Sequence, residues 1–324
     1  MSLSNFLIIF VIVFFAMVPI SMLVEKIRPR PRKPEKLPWA EDIALHYFDV
    51  DGVNIRYIKT GEGPVLLLLH TLRTQLDIFQ KMIPELSQSF TVYAMDYPGH
   101  GWSDIPSTDY TADFFVNSVN KFMEELDLNE VLIAGVSIGG SIPLISAGRG
   151  NKRITGILAI NPYDYPGKGP ARGNFVANLM FSIVYLPVLG ETFMRLRSRI
   201  VEKIIMQGGV ADSKALPAAF LEEMFVVGER PDHYLSFINL IRNSSSFCQA
   251  HNDYKNIKVP VRVIYGEQDW AKQEERDLTV SAIPAATVEV IENAGHFMSL
   301  DQPSILIDRI KDFSNSLQTE NQPV

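Results

Sequence analysis

The chain has a single cysteine, Cys248, among its 324 residues and therefore cannot form an internal disulfide bond. A disulfide framework is excluded, so the stability of the fold must come from burying apolar side chains. Basic residues are also few, because 30 Lys and Arg stand against 37 Asp and Glu and leave a net charge of −7. This acidic balance argues against a nucleic-acid partner, since nucleic-acid-binding domains are normally basic.

Signals for cofactors and metals are missing as well. No G-x-x-x-x-G-K phosphate-binding loop occurs, and the six histidines lack the clustering of metal ligands. The chain does contain 47% hydrophobic and 21% charged residues, which is ordinary for a folded protein. We therefore expect one large core, with room for an inserted subdomain, and no cofactor.

The longest apolar run covers residues 6–24, which carry no formal charge. As a helix it reaches roughly 28 Å, close to the bilayer core of about 30 Å. Six basic residues follow it between positions 26 and 36, and none precedes it. The positive-inside rule then predicts a single-pass membrane anchor over residues 1–25, with the following domain in the cytoplasm. A cleaved signal peptide is the alternative, which the uncharged N-terminus disfavours.

Beyond this run, short apolar strands alternate with helical patterns. The predicted strands cover residues 46–50, 53–59, 65–69, 91–95, 131–135, 156–160, 261–265 and 287–291. The predicted helices cover residues 76–86, 112–126, 272–281 and 304–317, with another from residue 138. This alternation predicts an α/β fold with a mostly parallel sheet covered by helices on both faces.

The alternation stops between the sixth and seventh predicted strands. Residues 163–253 show helices and loops without a clear strand, which indicates a helical lid inserted into the sheet domain. The core is then formed by residues 43–162 and 254–318. A basic, proline-rich linker over residues 26–42 is predicted to be an extended spacer, and residues 319–324 a loose tail.

The sequence Gly135-Val136-Ser137-Ile138-Gly139 matches G-x-S-x-G directly after an apolar strand and at the start of a helix. That strand–turn–helix context is what a nucleophile elbow requires. Glycines flank the serine because the sharp turn leaves little room for side chains. The N-terminus of the helix favours the negative charge that develops during acyl transfer. We therefore predict Ser137 as a nucleophile.

A serine nucleophile needs a base, and the base needs a carboxylate to orient it. His296 follows the last predicted strand and Asp269 follows the strand before it. The carboxyl ends of parallel strands meet at one edge of the sheet, so these side chains are predicted to lie together. Asp164, after the strand ending at Ile160, is the alternative acid. The order Ser, Asp, His along the chain favours Asp269.

Four motifs carry a resemblance to a known family. They are LLLLHT at 66–71, DYPGHGWSD at 96–104, GVSIGG at 135–140, and YGEQD with NAGH near the C-terminus. With these motifs, residues 46–317 resemble the lid-bearing α/β-hydrolases, which include esterases, lipases and meta-cleavage hydrolases. The resemblance implies an α/β-hydrolase fold, and it implies that Asp96, Gly99, Gly101 and Ser103 shape a structural loop. It also implies that His100 is not the base.

One departure from the family concerns the loop after the third strand, where the usual His-Gly is His70-Thr71. The oxyanion hole is expected to use the backbone N–H of Ile138 and that of Leu72, with Thr71 as the second choice for this loop. The resemblance implies an orienting role for His70. Arg73 is predicted to be a solvated surface arginine. The substrate pocket is predicted to include the residues His70, Thr71, Phe181 and Trp270.

The sequence therefore predicts a membrane-anchored serine hydrolase that cleaves a carboxylic ester with an apolar acyl group, its small-molecule substrate. Two alternatives stay open. A meta-cleavage hydrolase would break a C–C bond with the same triad, and a membrane-tethered binding module would use the scaffold without catalysis. Haloalkane dehalogenases and epoxide hydrolases are disfavoured because those relatives carry an aspartate at the position of Ser137.

Overall fold

The computed structural model describes residues 3–165, 169–249 and 251–320, without the side chains of residues 3, 4, 6–14 and 320. An eight-stranded sheet in the order β1-β2-β4-β3-β5-β6-β7-β8 forms the centre of this part of the chain. Strand β2 runs antiparallel to both of its neighbours, and the remaining neighbours are parallel. The strands are β1 Leu45–Val50, β2 Val53–Thr60, β3 Val65–Leu69, β4 Thr91–Met95, β5 Val131–Val136, β6 Ile154–Ile160, β7 Val261–Gly266 and β8 Thr287–Ile291.

The central strands are apolar because both faces of the sheet are covered. Alternate side chains of a strand point to opposite faces, and in β3 Leu67 and Leu69 join one buried cluster while Leu66 and Leu68 join the other. All four leucines are fully buried. A continuous apolar run in the sequence is therefore the expected signature of a strand that lies inside the sheet.

Helices cover both faces of the sheet. The helices of the described residues, including those of the inserted segment, are α1 Leu3–Ile27, α2 Ile83–Leu86, α3 Ala112–Glu125, α4 Ile138–Gly148, α5 Phe175–Val184, α6 Leu189–Arg195, α7 Arg199–Gln207, α8 Ala218–Gly228, α9 His233–Arg242, α10 Ser245–Gln249, α11 His251–Tyr254, α12 Gln273–Ala282, α13 Met298–Asp301 and α14 Pro303–Glu320. Short 3₁₀ helices occupy Leu76–Phe79, Gly169–Arg172 and Ser213–Ala215.

The prediction of a single helix over residues 76–86 is wrong. The structure divides it into the 3₁₀ helix Leu76–Phe79 and the separate helix α2. Pro84 occupies the first turn of α2. Proline has no N–H to donate and is favoured in the first turn of a helix, so a new helix begins there.

The segment between β6 and β7 contains helices and no strand within its described residues. Residues 166–168 and 250 of the predicted lid lie outside the description, as do residues 321–324 of the predicted tail. The helices α5 to α9 pack over loops that follow β3, β7 and β8, with a cavity between them. The segment is therefore placed as a cover over the carboxyl edge of the sheet.

The N-terminal helix α1 spans Leu3–Ile27. In the described part of the chain, no helix is both long and apolar enough to cross a membrane. The membrane span predicted from residues 6–24 is therefore not supported, and the side chains of residues 6–14 lie outside the description.

The described end of α1 is attached to the lid. Helix α1 packs against α6, and the guanidinium of Arg197 pairs with Glu25 at 3.0 Å. Arg28 donates a hydrogen bond to the carbonyl of Arg195 at 2.6 Å. The following linker also lies against the core, because the side chain of Leu37 is fully buried.

Three buried histidines outside the contact with Asp269 have lowered pKa values, and they are His70, His100 and His233. His70 and His100 lie with their ring centroids 5.5 Å apart, and His233 is 2% exposed. Burial lowers the pKa of His100 to about 4. Burial also lowers the pKa values of His70 and His233 well below the usual value, because a charged imidazolium would lose its hydration. The buried carboxyl group of Asp96 has a raised pKa for the same reason.

These pKa values predict loss of stability in mild acid. An unfolded histidine takes up a proton near pH 6.5, whereas the folded side chains stay neutral to lower pH. The unfolded state then binds more protons, so the free energy of unfolding falls as the pH decreases below 6.5, by about 1.4 kcal/mol per pH unit and histidine. The raised pKa of Asp96 acts in the opposite direction, because that carboxyl group binds its proton more readily in the folded state.

Urea unfolding at pH values from 7.5 to 5 measures this slope. His233→Leu should reduce the slope of the free energy of unfolding against pH by about 1.4 kcal/mol per pH unit, which is the contribution of one histidine. A stability that is flat or rises between pH 6.5 and 5 would contradict the prediction.

Candidate active site

Ser137 lies in a sharp turn between β5 and α4. Its backbone angles are φ 62° and ψ −121°, a strained conformation for a residue with a side chain. The turn is close enough that a Cβ atom at Gly135 would collide with the carbonyl of Gly139, and one at Gly139 would collide with the carbonyl of Leu69. Strain of this kind persists only where the surrounding structure holds it, and it is concentrated at functional sites.

The loops after β7 and β8 bring Asp269 and His296 together. Nδ1 of His296 lies 2.5 Å from Oδ1 of Asp269, and neither side chain is exposed. The other carboxylate oxygen accepts a hydrogen bond from the N–H of Ala271 at 3.0 Å. With its Nδ1 facing the carboxylate, the imidazole has only Nε2 left for a second partner. Within the described residues, Nε2 of His296 and Oγ of Ser137 are buried and have no hydrogen-bond partner.

Asp164, the alternative acid, lies elsewhere. Its Oδ1 accepts a hydrogen bond from Thr279 at 2.8 Å, and its Oδ2 lies 3.2 Å from Nε2 of His251. Asp164 is fully buried, as Asp269 is. The acid in contact with His296 is therefore Asp269.

Two residues fix the position of His296. The indole of Trp270 stacks on its ring with centroids 3.8 Å apart. Asn161 donates to the carbonyls of Gly295 and His296, both at 3.0 Å, and accepts from the N–H of Gly266 at 2.8 Å. Asn161 thus connects the ends of β6, β7 and β8. Sequence reasoning missed this role, and the available signal was a polar side chain directly after an apolar strand.

His70 is the first residue of the loop after β3, and its side chain supports that loop from the interior of the protein. Nε2 of His70 accepts a hydrogen bond from the N–H of Tyr97 at 3.1 Å, so Nδ1 carries the proton and donates to the carbonyl of Thr71 at 2.7 Å. His70 is fully buried against the ring of Tyr97 and is absent from the lining of the cavity described below. Its contacts fit an orienting role.

The two expected oxyanion donors are the backbone N–H groups of Ile138 and Leu72. Ile138 is the first residue of α4, so its N–H has no carbonyl four residues back within the helix. The N–H of Leu72 forms no backbone hydrogen bond within the described residues. Next to it, Thr71 is fully buried with a hydroxyl that has no partner there. Both N–H groups are therefore available to an oxyanion.

Asp96 connects the two loops that flank this region. It accepts hydrogen bonds from the N–H groups of Leu76 and Trp102, both at 2.8 Å, and pairs with the buried guanidinium of Arg56 at 3.1 Å. A Cβ atom at Gly101 would collide with the carboxylate of Asp96. These contacts explain why an acidic residue and a glycine occur five residues apart in this loop.

A cavity of about 140 Å³ lies between the lid and these loops. Its lid side is mostly apolar and includes Met180, Phe181, Phe193, Met194, Leu196, Val201, Ile205, Met206, Met224 and Phe237. Arg197, Ser198 and Glu202 of the lid also line it. Its core side includes Thr71, Leu72, Arg73, Trp270 and Phe297. The rings of Trp270 and Phe297 contact the ring of His296, so the cavity ends next to the imidazole. Three of the four predicted pocket residues therefore line it.

Comparison with known proteins agrees with this architecture. The family model described as alpha/beta hydrolase fold matches residues 64–303. The chain is 24% identical to the uncharacterized protein Rv2715 of Mycobacterium tuberculosis over 287 residues, covering 85% of this chain and 82% of that protein. It is 24% identical to the monoacylglycerol lipase ABHD6 of Mus musculus over 284 residues, covering 82% and 80%.

Among solved structures, the haloalkane dehalogenase DbeA from Bradyrhizobium elkani superposes with a TM-score of 0.76 at 17% identity. That superposition covers 86% of this chain and 100% of the dehalogenase chain. At this identity the likeness concerns the fold alone.

Proposed function

Because the chain belongs to the α/β-hydrolase fold family, we propose that it is a serine hydrolase that cleaves a carboxylic ester with an apolar acyl group. The observation that carries the proposal is the 2.5 Å contact between His296 and Asp269, with Ser137 in the strained turn of a nucleophile elbow. The monoacylglycerol lipase relative supports the choice of an ester.

The reaction proceeds by acyl transfer. Nε2 of His296 takes the proton of the Ser137 hydroxyl as its oxygen attacks the ester carbonyl, and Asp269 stabilises the imidazolium that forms. The backbone N–H groups of Ile138 and Leu72 donate to the oxyanion. Collapse of the intermediate releases the alcohol, which takes its proton from His296. Water then attacks the acyl-enzyme and gives its proton to His296 as the base. Collapse of this second intermediate breaks the bond to the Ser137 oxygen, which takes the proton back from His296, and the carboxylic acid is released.

The cavity supports an apolar acyl group. Methionine, phenylalanine and aliphatic side chains form most of its wall, and methionine adapts to ligands of variable shape. Each methylene that an acyl chain buries contributes about 0.8 kcal/mol. We therefore expect kcat/KM to rise about three- to fourfold per methylene until the cavity is full, and to fall for longer chains.

Hydrolysis of p-nitrophenyl esters of increasing acyl length tests this expectation. Phe181→Leu enlarges the cavity and should move the optimum to longer acyl chains by about one or two methylenes. Phe175→Leu is the matched control, because Phe175 lies on the same helix, is 81% exposed and does not line the cavity. An optimum that stays in place in Phe181→Leu would contradict the assignment of this cavity to the acyl group.

A further inference from the structure

Arg73 is the next residue after the expected oxyanion donor Leu72. Its side chain is 14% exposed, so it is not the solvated surface arginine that the sequence predicts. Its backbone has φ 62°, the left-handed region that residues with side chains seldom adopt. An unfavourable conformation beside a donor of the oxyanion hole raises the question of what holds it there.

Hydrogen bonds within the loop fix one of its ends, and a hydrogen bond to the core fixes the other. On one side the carbonyl of Thr71 accepts hydrogen bonds from the backbone N–H and the hydroxyl of Thr74, at 3.3 and 3.0 Å. On the other side the N–H of Leu76 donates to Asp96 at 2.8 Å. Leu72 and Arg73 form the part of the loop that lies between these anchors and faces the lid.

The lid holds the side chain of Arg73 from three helices. Nη2 donates to Oε1 of Glu202 on α7 at 3.4 Å, and Glu202 is 12% exposed. The guanidinium lies over the ring of Phe237 on α9, 5.1 Å from its centroid. A Cβ atom at Gly228 on α8 would lie 3.5 Å from Nη2, so the guanidinium packs against that helix as well.

We propose that Arg73 is a positioning residue that couples the lid to the oxyanion hole. When α7 is in place, the ion pair with Glu202 restrains Arg73 in addition to the hydrogen bonds between Thr71 and Thr74, and so directs the N–H of Leu72 towards the oxyanion. When α7 moves away, the loop loses that restraint and the donor loses its alignment. The hydrolase then reaches full activity only with the lid packed over the cavity.

The chemistry explains why such a coupling would act on the transition state. An oxyanion-hole donor is useful only if its N–H is aimed at the position that the charged oxygen will occupy. Removal of one donor lowers kcat by about a hundred- to a thousandfold, so misalignment of a donor has a smaller but measurable effect. The ground-state ester makes weaker contact with this donor, and KM should change little.

The test rests on the proposed function and uses the full chain. Glu202→Gln keeps the shape of the side chain but removes the charge that pairs with Arg73. We expect kcat for a medium-chain p-nitrophenyl ester to fall about tenfold, with KM within twofold. Affinity for a trifluoromethyl ketone, whose adduct with the serine places an oxyanion in the hole, should fall by the same factor as kcat/KM. Arg73→Lys, which keeps the positive charge, should lie between Glu202→Gln and the wild type.

Glu222→Gln is the matched control. Glu222 pairs with Arg199 across the same lid helices, is half exposed and lies outside the cavity lining. Its removal should leave kcat and ketone affinity unchanged. Hydrogen exchange of the loop over residues 70–75 gives a readout independent of chemistry, and it should become faster in Glu202→Gln and stay unchanged in Glu222→Gln.

The outcomes separate this role from the proposed function. An active wild type whose Glu202→Gln variant keeps its kcat, or changes only KM, would overturn the coupling while the hydrolase stands. A folded wild type that neither hydrolyses esters nor binds the ketone would overturn the hydrolase and the coupling together.

Discussion

Replacement of Ser137 by alanine is expected to lower kcat for ester hydrolysis by about a millionfold, which removes detectable activity. In the proposed mechanism this hydroxyl forms the acyl-enzyme, and neither water nor the oxyanion hole replaces it at a comparable rate. The measurement is the hydrolysis of a medium-chain p-nitrophenyl ester by the variant and the wild type at equal concentration of folded protein.

Ser141→Ala is the control for this experiment. Ser141 is also a buried serine of α4, one turn beyond the elbow, and its hydroxyl donates to the carbonyl of Ser137 at 3.3 Å. Its loss should leave kcat within a few fold. If Ser137→Ala retained activity, the hydrolysis would belong to another group and the proposed nucleophile would be wrong.

Replacement of Asp269 by asparagine should lower kcat by about ten thousandfold. The carboxylate holds the proton of His296 on Nδ1, and an amide in its place can donate to Nδ1 and leave the proton on Nε2. The imidazole would then be unable to accept the serine proton. KM should change little, because the side chain is buried behind the imidazole and absent from the cavity lining.

Asp164→Asn separates the two candidate acids. Asp164 contacts His251 and Thr279, and His296 is not among its hydrogen-bond or ion-pair partners in the described part of the chain. Its replacement should reduce the free energy of unfolding by about 1–3 kcal/mol, through the disturbed buried hydrogen bonds, and leave kcat within a few fold. The opposite pattern, with Asp164→Asn inactive and Asp269→Asn active, would contradict the assignment of the acid.

The sequence predicted the strands that form the centre of the fold, because a strand buried on both faces has to be apolar throughout. Val65–Leu69 is the clearest case, and its predicted bounds are those of β3. The parallel arrangement then placed the loops carrying Asp269 and His296 at one edge of the sheet. The sequence therefore predicted that these two side chains lie close together, and in the structure they are 2.5 Å apart.

Other features depend on contacts between residues far apart in the chain. Arg73 lies in a polar stretch, and no neighbouring residue in the sequence indicates that it would pair with Glu202, 129 positions away, beneath the lid. Leu37 lies in a basic, proline-rich segment typical of a free linker, yet it is fully buried. Asn161 connects three loops that are distant in sequence. In each case the partner is defined only once the tertiary structure is formed.

Covalent labelling with a fluorophosphonate is the most direct test of Ser137 as the nucleophile. This reagent phosphonylates a serine that an adjacent base has activated, and mass spectrometry of the digested protein locates the adduct. We expect one adduct per chain, on Ser137, and none on Ser137→Ala. A folded wild type that takes up no label, or carries it on another residue, would show that Ser137 is not an activated nucleophile.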